Sequence, residues 1–248
     1  MSPQHFQQHD RWVERMVDER ASGLSPSAWG LRRITIDEQD LAMGRIVVTS
    51  LRAVLPDGTV VRAPEDVALP PAKKVSTGDA GMPVKIVLPL RAGDGVELGR
   101  STEFERTVAS EIEARYATGP DRPAVRITVG VPNLRVAIGD AAVEDCCELP
   151  VGRIHSVEPG GAVELDRTFM GPCLDIHAVP AMLEAARETH RLLSQRGIYL
   201  AERAGPTQSD ADTAGLLDII LLSVINRQEL LFQHLSQMPG THPEALYR

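Results

Sequence analysis

The sequence predicts a mainly β plus α chain, with an antiparallel β-sandwich between an N-terminal helix and a helical bundle. Three observations carry this. Apolar residues recur at three- and four-residue steps over residues 3–24. From residue 31 to about 165 the period is two, broken by Gly, Pro and Asp turns. From residue 177 onward the helical period returns. Alternation in short runs suits strands with one wet face, and three- or four-residue spacing suits helices with one buried stripe. The expected domains are therefore 1–176, helix plus sandwich, and 177–248, helical.

Taken in order, Phe6, His9, Val13, Met16, Val17, Ala21 and Leu24 fall on one face of the first helix. Pro3 suits its first turn, where the missing N–H has no partner in any case, and Gly23 and Pro26 end it. An apolar face of this kind is expected to pack on something. Residues 45–55 read as a strand, and Pro56-Asp57-Gly58-Thr59 reverses it into a return strand at 59–62. Asp and Gly tolerate the positive φ that a tight reversal demands. Residues 84–90 form a short apolar run, 102–116 a long polar-apolar segment, and 125–131 and 134–138 alternate. Val179, Met182, Leu183, Ala186, Leu193 and Leu200 form a helical stripe, broken at Gly205-Pro206. Ser209 to Thr213 offer N-caps for a second helix over about 214–238. That helix is apolar nearly all round between Leu216 and Ile225, so partners beyond one neighbouring helix are expected to enclose it.

Composition narrows the function. The 248 residues carry 26 Lys and Arg against 34 Asp and Glu, a formal charge of -8, with no basic block. Such a balance opposes binding to nucleic acid or to an anionic membrane surface. Three cysteines, two of them adjacent, fit reduced thiols and a cytoplasmic chain. The opening residues hold no apolar signal segment, and the longest apolar stretch is about half of a membrane span. Aromatic residues are only 4% of the chain, too few for a sugar- or base-stacking platform.

Candidate chemistry is thin. His5 and His9 have the i, i+4 spacing of a metal pair but lack a third ligand. Asp210-Ala-Asp212-Thr213 matches the DxDxT string of haloacid dehalogenase-type enzymes, yet a loop precedes it where a buried strand is needed, and helix capping explains it better. Gly93, Gly95 and Gly99 miss the dinucleotide spacing by one residue. Asp37, Glu38 and Asp40 read as one solvated turn. His155-Ser156 has no nucleophile elbow. Cys147 and Cys173 have no cationic neighbours and read as small core residues. No catalytic residue, metal or cofactor is expected.

A resemblance sharpens this. Residues Pro3-Gln4-His5-Phe6-Gln7-Gln8-His9-Asp10-Arg11, Ser25-Pro26-Ser27-Ala28-Trp29-Gly30, Leu55-Pro56-Asp57-Gly58-Thr59, 165–174 (LDRTFMGPCL) and His242-Pro243-Glu244-Ala245-Leu246-Tyr247 are similar, in order, to five motifs of the TssK family. These are baseplate subunits of the bacterial type VI secretion system. The family's W-x-E-G strand ahead of the first motif is absent, Gly171 replaces a usual proline, and the family continues beyond Tyr247, so the chain reads as a fragment or truncated product. The resemblance implies a β-sandwich "shoulder" similar to that of siphophage receptor-binding proteins, and helices that hold a homotrimer. It implies wedge partners TssF and TssG on the shoulder side. The membrane complex TssJ, TssL and TssM would be reached through a C-terminal domain beyond these residues, at the inner face of the cytoplasmic membrane. No catalytic role is implied. The wedge-facing contact is expected at Pro3, Gln4, His5, Phe6, Gln7 and Gln8, whose amides can pair with main-chain groups. Equally, Phe6 can serve to staple the helix to the sandwich. The trimer contact is expected at Leu216, Leu217, Ile220, Leu221, Val224 and Leu231. A carbohydrate- or receptor-binding sandwich is the alternative function.

Overall fold

A computed structural model describes residues 3–24, 27–91, 105–114, 124–203 and 213–247. Ser25-Pro26, the glycines 93, 95 and 99, Gly205-Pro206, Ser209, Asp210 and Asp212 lie outside these residues. The chain forms two compact units, Met1–Asp166 and Arg167–Arg248.

The first unit opens with α1 (Pro3–Ser22) and continues through β1 (Gly30–Ile36), α2 (Glu38–Ala42), β2 (Arg45–Ile46), β3 (Val48–Val54) and β4 (Val60–Ala63). It then runs through β5 (Lys73–Lys74), β6 (Pro83–Pro89), β7 (Thr107–Ala114), β8 (Val125–Pro132), β9 (Arg135–Ile138), β10 (Cys146–Val157) and β11 (Val163–Leu165). All strand pairings among them are antiparallel. One sheet has the order β1-β3-β4, another β11-β10-β6-β9, and β2-β5 and β7-β8 are two-stranded. Alternation determines which side is dry. Leu31, Leu51, Ala53, Val61 and Ala63 of the three-stranded sheet are at most 1% exposed, as are Val84, Ile86, Leu88, Leu149 and Ile154 of the four-stranded one. These side chains are the core of the unit.

The expected strand over 45–55 is two strands, because residues 45–46 pair with β5 while residues 48–54 pair with β1, whose register the Asp37 N–H to Val47 carbonyl bond continues. The acidic cluster is not an idle turn. Asp37 N-caps α2, accepting from the Gln39 and Asp40 N–H groups at 2.8 and 3.1 Å, and Asp40 pairs with Arg45. The Pro56-Asp57-Gly58-Thr59 reversal joins β3 to β4 as the sequence predicts. Gly58 has φ +81°, and a Cβ there would lie 2.5 Å from the Asp18 carboxylate of α1. The turn therefore needs glycine for its backbone, whereas the exposed Asp18 carboxylate can swing aside from a Cβ.

The second unit is a helical hairpin. A 3₁₀ turn at Ile176–Ala178 leads into α3 (Pro180–Arg203), and α4 (Thr213–Gln237) runs antiparallel to it. Arg203 pairs with Asp218 at 2.9 Å near the joined ends. A Cβ on Gly197 would stand 3.4 Å from Asn226 Oδ1 and 3.5 Å from Ile225 Cγ2, so the helices pack closely at mid-length. His190 faces Glu229 lower down, at 3.6 Å. Asp175 closes the base: its carboxylate accepts from the His177 N–H and the Gly240 N–H, both at 3.0 Å. Residues 167–176, which the change of period leaves with the strands, thus join the helices.

Gly58→Ala is expected to cost about 1–2 kcal/mol, the strain of a left-handed non-glycine residue, and Gly58→Asn less, because Asn visits that region more readily. Urea unfolding of the two variants against the parent checks both values.

Candidate functional site

The chain's chemically distinctive groups divide into buried polar joints and exposed apolar faces. The first joint centres on Arg106, 8% exposed. Its guanidinium donates to the Thr59 hydroxyl at 2.7 Å and to the Pro89 carbonyl, and pairs with Asp57 at 2.9 Å. Asp57 also accepts from the Thr59 N–H at 3.1 Å. Burial alone would raise the Asp57 pKa, but Arg106 and the Thr59 hydrogen bonds outweigh it and hold the carboxyl below its usual 3.8. Next to this pair, burial first and the Asp57 charge second push the Cys147 thiol up to about 11. A thiol so raised is a poor nucleophile.

The second joint is Lys85, 6% exposed in an apolar strand. Its ammonium donates to Glu148 at 2.8 Å and to the Ala141 carbonyl at 3.1 Å. Burial works against the Glu148 charge, yet Lys85 and the Val143 N–H bring its pKa below the usual value. The third is Asp175, whose neighbour His177 also approaches it through Nδ1 at 2.9 Å and reaches the Ser236 carbonyl through Nε2 at 3.2 Å. Cys173, two residues earlier, has its thiol pushed up to about 11 by burial and then by Asp175. None of these groups faces a reactive partner. Sequence reasoning missed all three joints, although a lysine inside the run Val84-Lys85-Ile86-Val87-Leu88 was a visible signal.

The two expected docking segments lie elsewhere. Pro3 opens α1, and Gln4, His5, Phe6, Gln7 and Gln8 follow on its first turns, exposed. Six consecutive residues encircle a helix of about 3.6 residues per turn, so they share no single face. Glu14 ties α1 to the strands through Arg91 at 2.6 Å, and Asp18, one turn on, lies over Gly58. Of the apolar stripe expected to pack, Val13 and Met16 are half-buried, while Phe6 is 58% exposed and Val17 56%, with Trp12 beside it at 55%. His5 and His9 belong to no group of three or more metal-ligating side chains among the described residues.

On α4 the outcome is different. Leu216, Leu217, Ile220, Leu221, Val224 and Leu231 fall within an arc of about 140° at 100° per residue. They are 40–60% exposed, while Leu222, Ile225, Glu229 and Phe232 lie at helical spacing on the more covered side. No helix among the described residues is long and apolar enough to cross a membrane.

The mainly β unit, the helical hairpin with its open leucine face and the ordered motifs agree with the type VI secretion family that the motifs resemble. Residues 5–248 match the profile of the family described as bacterial type VI secretion, VC_A0110, EvfL, ImpJ, VasE, and the chain belongs to that family. It is 34% identical, over its whole length, to the type VI secretion system baseplate component TssK1 of Pseudomonas aeruginosa, and spans 56% of that relative. A crystal structure of TssK shares its fold, with a TM-score of 0.89 at 22% identity over the whole chain and 56% of the other. A chain of a type VI secretion system TssK-TssF-TssG baseplate subcomplex gives 0.85 at 25%, covering all of this chain and 81% of that one.

Asp57→Asn is expected to cost about 3 kcal/mol at neutral pH, since it strips a buried guanidinium of its counter-charge. The native carboxyl has a depressed pKa, so its stabilisation is full above about pH 4 and is lost as pH falls through the folded value. The variant should show a shallower acid slope in denaturant melts. Among the thiols, Cys146, the least buried, should be alkylated first, with Cys147 and Cys173 protected until unfolding; timed labelling and mass spectrometry read the order.

Proposed function

We propose that this chain is a non-enzymatic scaffold of a type VI secretion baseplate, acting through docking surfaces. The observation that carries it is the open apolar face of α4. Six aliphatic side chains about half exposed on one helix are costly in water and favour self-association, at about 25 cal/mol per Å² of apolar area removed. Three copies joined through this face make the homotrimer that the family resemblance implies, with the helical unit as the trimerising region and the β-rich unit as the shoulder.

A trimer presents each shoulder three times, so weak contacts reinforce one another through effective concentration. The partners proposed are TssF and TssG, which share a baseplate subcomplex with TssK in a similar structure. Their contact is placed on the first turns of α1, where the exposed Phe6 supplies apolar area and Gln4 and Gln8 supply amides. The same reading assigns contact with the membrane complex TssJ, TssL and TssM to the part of the relatives this chain does not span, and a cytoplasmic site at the inner membrane face.

Light scattering after size exclusion tests the trimer. The parent chain should run at three times its chain mass, and Ile220→Asp with Val224→Asp should run as a monomer with unchanged far-UV dichroism. A monomeric parent, or a variant that stays trimeric, overturns this face as the interface. Co-purification with tagged TssF and TssG tests the wedge contact: the complex should form with the parent and weaken at least about tenfold for Gln4→Ala with Phe6→Ala. Undiminished binding by that variant places the contact elsewhere.

A further inference from the structure

The three-stranded sheet carries an unusual outer face. Arg33 of β1 lies directly opposite Arg52 of β3, and Arg52 directly opposite Arg62 of β4. Three arginines thus stand in register across three neighbouring strands. At a strand spacing of about 4.8 Å the row spans roughly 10 Å. Like charges directly opposite on a sheet are destabilising, so such a row opposes folding unless anions neutralise it.

A bulge adds a fourth cation. Leu31 pairs with Ala53 and Arg33 with Arg52, so Arg32 is the extra residue of β1, and both Arg32 and Arg33 are exposed. Bulges re-aim side chains in this way. β1 is also an edge strand of its sheet.

The chain neutralises only one end of the row. Glu65 pairs with Arg52 at 2.5 Å, and Asp66 lies 3.5 Å from Arg62. Both carboxylates come from the segment just after β4. Arg32 and Arg33 have no carboxylate partner among the described residues. An acidic chain of formal charge -8 therefore holds a local pair of uncompensated guanidiniums on a rigid sheet edge.

We infer that this arginine row is a docking surface for an acidic segment of a partner protein, whose carboxylates pair with Arg32 and Arg33 and extend the line that Glu65 and Asp66 begin. The bound carboxylates already present show the chemistry that the row accepts. Arginine forks engage carboxylates in two parallel hydrogen bonds, and such charge-assisted contacts are about twice as strong as neutral ones. A row about 10 Å wide matches a few consecutive side chains. The chain's overall negative charge repels a long polyanion but screens out within a Debye length of about 10 Å, so it leaves a short segment free to dock. This inference does not rest on the baseplate reading.

The test uses the full chain and a fluorescein-labelled hexaglutamate peptide, followed by anisotropy at low and physiological salt. Binding is expected at low salt, weakening as salt rises. Arg32→Ala with Arg33→Ala should weaken it about tenfold or more. Glu65→Gln with Asp66→Asn frees the other two arginines and should tighten it. Arg187→Ala, on α3, should leave it unchanged. No binding of the peptide, or binding indifferent to the Arg32 and Arg33 substitutions, overturns the proposal. So does tighter binding of a short DNA duplex that the same substitutions abolish, which would make the row a phosphate surface.

Discussion

One guanidinium holds the β-rich unit in register. Arg106 is buried, and it closes hydrogen bonds with the β3–β4 turn through Asp57 and Thr59 and with the end of β6 through the Pro89 carbonyl. Its own carbonyl accepts from the Asn133 N–H at 2.8 Å, where the β7–β8 ribbon returns. Four separate stretches of chain thus meet at one residue. A buried cation of this kind adds little net stability compared with a well-packed apolar group, but it is very costly when misplaced. Its value lies in exclusion: any pairing that moves Asp57 away from it strands a charge in a dry core. Lys85 and Glu148 impose the same condition at the loop between β9 and β10.

This explains what could and could not be read from the sequence. Periodicity located α1, the β3–β4 hairpin, β8, β9 and the two C-terminal helices, because each is a local pattern of apolar spacing. The Asp57–Arg106 pair joins residues far apart in the chain, and no local pattern marks two charges as mutual partners. The split between β2 and β3 escaped for a similar reason: residues 45–46 pair with β5 and residues 48–54 with β1, a change of partner within an unbroken β-prone run. The apolar stripe of α1 was legible, but the side by which the helix is held was not. Glu14 pairs with Arg91 and Asp18 lies over the Gly58 turn, while of the stripe Val13 and Met16 are half-buried and the rest stays open. On α4 the spacing did identify the exposed aliphatic set, since an all-round apolar helix has more greasy surface than one neighbour can cover.

The ordered motifs take on physical meaning in this setting. Pro56-Asp57-Gly58-Thr59 is a turn that also supplies the counter-charge of Arg106 and the seat of α1. The stretch ending in Pro172-Cys173-Leu174 delivers Asp175 to the backbone of Gly240, and His242, two residues further, caps the last 3₁₀ turn by accepting from the Glu244 N–H. In these motifs the charged residues act as joints between stretches of chain.

The Asp175 clip has a mechanical consequence. It binds the chain just before α3 to the chain just after α4, so both feet of the helical hairpin are pinned in one knot. The opposite end, near Arg203 and Thr213, lies about 36 Å away for a 24-residue helix. The hairpin is clamped at the Asp175 end, and Arg203 with Asp218 near the far end and His190 with Glu229 between them cross-link the two helices again. A sideways load at the tip becomes torque at the clip, and the close packing at Gly197 resists shear between the two helices. Stiffness at the tip is then shared between the hydrogen bonds at the base and the ion pair at Arg203 and Asp218.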